Sequence, residues 1–477
     1  MQEHRFHPWI RTLRALALVG AVGLLAACVG PTQWGHGNQS TIQPATDSTR
    51  VVQSIYALVT WIDVGIFVVV FGLLAYAVFR YRVRPGQSQQ LPKQVHGNAL
   101  MELTWTIVPA IILIFIAVPT WSGIFRAARP PAEGAFAVEA IGHQWWWEFK
   151  YPDQGVVTAN EMVIPVGKPV VVKTHTIDVI HSFWVPKLSG KIDSLPGKIN
   201  TLWFTPEEPG MYYGQCAEFC GTSHANMRFR VRVVSPEEFE TWVAGLKQPP
   251  KPSSDDAKAG EQLFVSKTCM ACHTISGVPV ALGILGPNLT NLPARTTLAA
   301  GVLENTPENL VRWLQHTQAV KPAAKMGTPG PDGAYEPVFA GARLSDDEAR
   351  QLAAYLLSAP GAAAAGTGGQ MAAMSSSAAA PAPAAGGKTA EQLFQEKGCI
   401  ACHLIPGIPA AVGKIGPSLE GLMSRPTIAA GKLKTTPENL HKWIKNPRAI
   451  KGDTLMAPLP MTDEELDTIV SYLVKLK

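Results

Sequence analysis

The sequence predicts a multidomain chain: a two-helix transmembrane hairpin, then an all-β unit, then two all-α units. Three observations predict it. Two apolar runs, roughly 55–79 and 103–125, are each long enough to cross a bilayer. Short alternating stretches broken by Pro and Gly fill residues 135–234. Beyond residue 256 the chain repeats itself, its motifs recurring at a shift of 130 residues as far as Met326 and Met456. A length of 477 residues exceeds one ordinary domain. An apolar fraction of 47% with only 16% charged residues excludes a disordered chain. The net charge of +5 is spread without a basic block, so no nucleic-acid partner is expected.

The N-terminus comes first. Arg11 and Arg14 precede an apolar run over 15–27, short for a span but suited to a signal-peptide core. The run ends in Leu25-Ala26-Ala27-Cys28, which resembles a bacterial lipobox. That resemblance implies a lipoprotein-type signal peptide over 1–27, cleavage before Cys28 and a lipid on its sulfur. Arg80, Arg82, Arg84 and Lys93 lie between the two spans, which places that loop in the cytoplasm. Everything after residue 126 is then extracytoplasmic, on the periplasmic side of a bacterial inner membrane. Neither span carries a His, so no haem or copper is expected within the bilayer part of this chain. Asp63 lies within the first span. Glu102 stands at the mouth of the second, where the helix dipole favours an acid.

In the β unit, 136–141 and 227–233 alternate as half-buried strands, with further strands at 170–172, 202–204 and 211–213. Many short strands with such turns predict a sandwich or barrel. This scaffold carries Cys216-Ala-Glu218-Phe-Cys220-Gly-Thr-Ser-His224-Ala-Asn-Met227. Thiolate, imidazole and thioether together select a soft or borderline metal, with copper the best candidate. Two cysteines four apart on one loop can aim both sulfurs at one point, and His181 offers an upstream imidazole.

After a Pro-rich linker at 249–254, Cys269, Cys272 and His273 recur as Cys399, Cys402 and His403. Gly286-Pro287 recurs as Gly416-Pro417, and Thr306-Pro307 as Thr436-Pro437; in the Thr-Pro pairs the threonine is a helix cap before a first-turn proline. Cys-x-x-Cys-His is the c-type haem attachment motif. Two such motifs predict two covalent haem c groups, each with one imidazole ligand. The second axial ligand comes from far along the chain. Met326 and Met456 keep the 130-residue register, and Met461 is the rival in the second copy. A Met/His pair raises the potential, as suits an electron carrier. The shift falls to 117 by Leu344 and Met461, so the first copy carries extra residues within 327–343. Ser345–Glu348 and Thr462–Glu465 read as capping boxes of the final helices. Between the copies, 359–387 is almost all small residues and reads as a tether. Residues 388–477 hold 12 Lys/Arg against 9 Asp/Glu, and 255–358 hold 8 against 10. That contrast suits the terminal copy to an acidic donor.

The cysteine loop, with His181 upstream, resembles the binuclear copper (CuA) site of cytochrome c oxidase subunit 2, whose copper domain is cupredoxin-like. The resemblance implies Cys216, Cys220, His224, Met227, His181 and the backbone carbonyl of Glu218 as copper ligands. It also implies a magnesium ion shared with subunit 1 at the Glu218 carboxylate. Gly142-His-Gln-Trp145-Trp-Trp147 resembles the family's aromatic run, which implies that electrons enter at Trp145. Met101-Glu102-Leu-Thr-Trp105-Thr-Ile-Val-Pro109 resembles the start of its second helix, which implies Glu102 at the entrance of a proton path. The two repeats resemble class I cytochromes c. The expected division is 1–27 signal peptide, 28–126 N-terminal segment and hairpin, 127–247 copper domain, 256–358 first cytochrome c domain, 359–387 linker and 388–477 second cytochrome c domain. The implied function is subunit 2 of a respiratory haem-copper oxidase. It takes electrons from a cytochrome c or another donor and works with subunits 1 and 3 in reducing oxygen to water, coupled to proton translocation. Tethering would raise the haem-to-copper encounter to an effective concentration of about millimolar. Two alternatives are a copper-bearing subunit of a nitric oxide reductase and a free-standing membrane-anchored carrier or copper-delivery protein. Glu102, Trp145 and the hairpin weigh against the second.

Overall fold

The computed structural model describes residues 37–82, 94, 96–129, 134–278, 281, 283–326, 328–329, 335–336, 344–358, 388–409, 411, 416–452, 454, 456, 458–459 and 461–477. Cys28 and the signal peptide, the tether at 359–387, most of the insertion at 327–343, and Arg84 and Lys93 lie outside the described residues.

Two long helices form the hairpin, α1 (Asp47–Tyr81) and α2 (Ala99–Ala127). Both are apolar and long enough to cross a membrane, and their central windows are unburied within the chain. They run further than the apolar stretches at both ends, because capping and tertiary contacts extend them. Thr46 caps α1 in a capping box with Thr49, and its hydroxyl donates to the Leu188 carbonyl at 2.8 Å. Arg50 pairs with Glu207. At the far end of the hairpin, Trp203 Nε1 donates to Ala127 O at 3.0 Å. The helix pair is therefore tied to the β unit at both outer ends. The helices meet where Gly123 leaves room: a Cβ there would lie 3.0 Å from Ile55.

The β unit is a sandwich of two five-stranded sheets. One has the order β3 (Val156–Ala159), β2 (Trp146–Tyr151), β1 (Phe136–His143), β5 (Val170–Thr176), β8 (Asn200–Phe204). The other has β4 (Glu161–Pro165), β10 (Arg228–Val234), β9 (Gly210–Cys216), β6 (His181–Trp184), β7 (Ile192–Ser194). β1 pairs β5 in parallel and β10 pairs β4 in parallel, with antiparallel pairs elsewhere. Alternation delivers the inward residues. Trp147, Phe149, Phe183 and Phe229 are wholly buried between the sheets. Phe183 and Phe229 stack at 4.9 Å, and Trp147 meets Phe183 edge-on at 5.7 Å. Phe229 fits against Gly214, where a Cβ would come within 2.3 Å of the ring. The helix α3 (Pro236–Leu246) closes one end, burying Phe239, Trp242, Val243 and Leu246.

Each C-terminal copy is built of short helices. The first has α4 (Asp255–Ser266), α5 (Pro307–Gln315) and α6 (Asp346–Leu356). The second has α7 (Ala390–Glu396), α8 (Pro437–Lys445) and α9 (Asp463–Leu473). Thr306 and Thr436 cap α5 and α8 before their first-turn prolines. Ser345–Glu348 and Thr462–Glu465 form complete capping boxes. Gly260 lets α4 cross α6, since a Cβ there would sit 2.0 Å from Gln351 O. Phe264 packs on Tyr355 and Phe394 on Tyr472, matching pairs in the two copies.

Phe229→Ala would empty the centre of the sandwich. It is expected to destabilise the β unit by about 3–5 kcal/mol, read as a lowered unfolding midpoint of tryptophan fluorescence in the purified chain. An unchanged midpoint would show that the inter-sheet aromatic cluster is not what holds the unit together.

Candidate metal and haem sites

β9 delivers Cys216 at its last residue, and the loop to β10 carries Glu218, Cys220, His224 and Met227. β6 of the same sheet delivers His181 at its first residue. Gly142 of the facing sheet makes room for that ring, because a Cβ there would lie 2.6 Å from His181 Cδ2. The two sulfurs stand 3.8 Å apart, unbonded. His181 Nδ1 lies 3.8 Å from Cys216 Sγ, and His224 Nδ1 lies 3.5 Å from Cys220 Sγ. Met227 Sδ is 3.9 Å from Cys220 Sγ, and the Glu218 carbonyl oxygen is 3.2 Å from Cys216 Sγ. His181, Cys216, Cys220 and Met227 are all buried. The layout is two-sided. Each sulfur has its own imidazole and one weaker donor, and the sulfurs face each other across the middle. Six donors exceed what one tetrahedral zinc takes. Two thiolates, two imidazoles and a thioether fit a pair of soft ions such as copper.

The hydrogen bond with Cys220 holds the Cys216 thiol well below the usual range against the opposing effect of burial, and the same bond pushes Cys220 up. Asp178 orients the His181 ring by accepting from Nε2 at 2.8 Å, leaving Nδ1 toward the sulfur. Burial alone would lower His181, but the bonds to Asp178 and Cys216 raise it. Burial would raise Asp178, yet the bonds from His181 and the Gln144 N–H take it down to about 2. Such a carboxylate behind a ligating imidazole fixes the tautomer and strengthens the donor. Asp178 is a site residue that sequence reasoning missed. Its spacing of three residues from His181 is the signal that was present.

Trp145 is 8% exposed and touches the loop directly, its Nε1 donating to Cys220 O at 3.0 Å. Gln144 Nε2 donates to the same carbonyl at 2.8 Å. The Glu218 carboxylate is exposed, and beside it Phe219 is 77% exposed. Glu102 sits in the first turn of α2, its carboxylate accepting from the Asn98 N–H at 3.2 Å, as a helix-capping acid does. His143 is structural: it stacks on Trp146 at 3.9 Å and meets Glu148 at 3.2 Å.

The two Cys-x-x-Cys-His motifs have matching surroundings. Cys269 and Cys272 open one module, and Cys399 and Cys402 the other; none of the four is in a disulfide. Burial pushes Cys269, Cys272 and Cys399 up to about 12 and Cys402 to about 11, so they are held neutral. His273 Nδ1 meets Pro287 O at 2.8 Å, and His403 Nδ1 meets Pro417 O at 2.8 Å. Each bond fixes the tautomer and leaves Nε2 for an iron. Gly286 and Gly416 lie against these rings, where a Cβ would come within 2.5 Å of Cε1. Met326 packs against the core of the first module. Met456 and Met461 both pack against the core of the second. The residues present fit a covalently held haem in each module.

The family described as cytochrome c oxidase subunit II, periplasmic domain, matches residues 156–234. The transmembrane domain of the same subunit matches 31–122. Cytochrome c matches 257–360 and again 387–477. Cytochrome c oxidase subunit 2 of Alkalihalophilus pseudofirmus is 34% identical over 356 residues, covering 73% of this chain and 98% of that protein. The subunit of the same name from Bacillus sp. PS3 is 35% identical over 364 residues, covering 72% and 97%. Among solved structures, the periplasmic domain of subunit II of Bradyrhizobium japonicum cytochrome oxidase is 38% identical. It covers 24% of this chain and 95% of that one, with a TM-score of 0.23.

Two outcomes are expected. Asp178→Asn lowers copper affinity by about 10–100-fold in a chelator competition, through loss of the partner behind His181. Gly286→Ala drives a methyl into the His273 ring and removes haem from the first module only. Haem staining of proteolytic fragments then labels the second module alone, whereas equal labelling would show that the glycine does not guard the ring.

Proposed function

Because the chain belongs to the cytochrome c oxidase subunit 2 family, with two cytochrome c domains appended, we propose that it is the electron-relay subunit of a respiratory haem-copper oxidase. Electrons from an external donor enter at the terminal module, pass to the first module and the cysteine loop, and leave for subunit 1. There oxygen is reduced to water, coupled to proton translocation. The observation that carries this reading is the two-sided donor set. Cys216 and Cys220 face each other at 3.8 Å, each with its own imidazole. Bound there, paired copper supplies a one-electron carrier whose charge two thiolates share, and haem c in the modules supplies carriers of raised potential.

The residues divide the work. Cys216, Cys220, His181, His224, Met227 and the Glu218 carbonyl hold the metal pair. Asp178 fixes His181. Trp145, bonded to the Cys220 carbonyl, is where electrons reach the loop. Cys269, Cys272, His273 and Met326 hold one haem, and Cys399, Cys402, His403 and Met456 the other. The Glu218 carboxylate and Phe219 are exposed on the loop, and Ile177, Val179 and Ile180 are exposed on the turn that leads to His181. An apolar rim of this kind suits contact with another subunit, and Glu218 is then placed to hold a magnesium ion at that seam. Glu102 marks a proton path into subunit 1, subunit 3 completes the complex, and Cys28 carries a lipid on the periplasmic face of the inner membrane.

His403→Ala is expected to slow oxidation of the natural donor by the purified complex, while small mediators still reduce the copper. Normal turnover with the natural donor in that variant would overturn the assigned order of the modules.

A further inference from the structure

The first cytochrome c module rests against the β sandwich through buried polar contacts. Glu161, at the start of β4, is only 3% exposed. One of its oxygens, Oε1, accepts four hydrogen bonds from the module: Thr296 N at 2.7 Å, Thr296 Oγ1 at 2.8 Å, Thr297 N at 2.8 Å and Thr297 Oγ1 at 3.0 Å. Lys321 of the module, 4% exposed, likewise donates across the seam, from Nζ to the Trp145 carbonyl. The same amine donates to Ala299 O at 3.1 Å, which ties it back to its own module. Three further contacts surround these two. Arg228 N donates to Ala300 O at 3.1 Å, Ser223 Oγ to Pro322 O, and Lys325 faces Asp178 at 3.7 Å. The segment 321–326, which ends at Met326, therefore lies on Trp145, on the residue before His224, and on the carboxylate behind His181.

We propose that Glu161 and Lys321 are positioning residues that clamp the first module permanently on the copper domain, so that electrons reach Trp145 from that module and not from a freely diffusing donor. The proposal rests on the roles given above to Trp145 and the cysteine loop. The physical reason is the cost of burial. A buried carboxylate and a buried lysine amine, charged or neutral, are tolerated only with their hydrogen bonds made. Both find those partners across the seam, so undocking would strip donors from one and an acceptor from the other. A tethered module that searched for its partner would instead be expected to meet it through exposed, salt-screened charges.

The repeat itself supplies the contrast. At the 130-residue shift, Thr296 becomes Pro426, which has neither an N–H nor a hydroxyl, and Pro322 becomes Gly452. The second module thus lacks half of the four donors that Glu161 receives. It also proves that this fold accepts proline at that position.

The test uses the purified full complex and two variants, Glu161→Ala and Thr296→Pro, with Glu161→Gln as the conservative control. Thr296→Pro places in the first module the residue its sister already carries. Copper and haem spectra verify that each variant is assembled. Hydrogen exchange of the peptide containing Thr297 is expected to rise by about tenfold or more in both disruptive variants. Gln, which keeps an accepting oxygen, restores most of the protection. After rapid reduction of the modules by light, wild-type transfer to copper should not depend on glycerol viscosity. In the two variants it should slow and become viscosity-dependent. Unchanged exchange in Glu161→Ala and Thr296→Pro, or a viscosity-dependent wild-type rate, overturns the clamp. Absence of the copper and haem spectra from the wild type would instead defeat the functional reading, whatever the exchange data give.

Discussion

Two buried sulfur atoms held 3.8 Å apart on one loop decide what this protein can do. Left alone, two such thiols would oxidise or share a proton. They are kept in place by the sandwich on both sides. β9 ends at Cys216, β10 begins just after Met227, and the Cys216 N–H donates to Met227 O at 3.0 Å, closing the loop at its neck. β6 brings His181 from the neighbouring strand, and the facing sheet presents Gly142 so that the ring fits. A site held by three strands and a closed loop neck changes little when its charge changes. That constancy keeps the reorganisation on electron transfer small, and it explains why a rigid β scaffold lies beneath a relay.

The same principle governs the two modules. Each fixes its imidazole by one bond from Nδ1 to a proline carbonyl, with a glycine pressed against the ring. The module cores differ in sequence, yet these three elements keep their register. The first module adds buried contacts to the copper domain. Its sister has proline where the first has Thr296, so the two copies of one fold do not offer the same donors at that position.

Much of this was legible in the sequence because it depends on residue type at short spacing. The cysteine loop, both haem motifs, the capping boxes at Ser345 and Thr462 and the apolar helices all follow from local pattern. Strands β1 and β10 follow from alternation, and β5, β8 and β9 from short strand-forming runs set between Pro and Gly; the structure lengthens β1, β5, β8 and β9 and shifts β10 by one residue. Strand β2 does not. Its start, Trp146-Trp147, lies in a continuous aromatic run that reads as a motif and hides the alternation of Trp147, Phe149 and Tyr151 into the core. Asp178, Glu161 and Lys321 were not legible as working residues. Glu161 meets Thr297 across 136 positions and Lys321 meets Trp145 across 176, and no local spacing announces such pairs. The second axial ligand of the terminal module shows the same limit: Met456 and Met461 both reach one core, and only the repeat register favours the first.

The most direct measurement is paramagnetic resonance on the purified complex, compared with a Cys216→Ser variant. The expected wild-type spectrum contains one unpaired electron shared by two equivalent copper nuclei, and it vanishes in the variant while the haem signals persist. A wild-type spectrum without that shared spin, or elemental analysis placing zinc at the loop, would contradict the assignment of Cys216 and Cys220 to a copper pair.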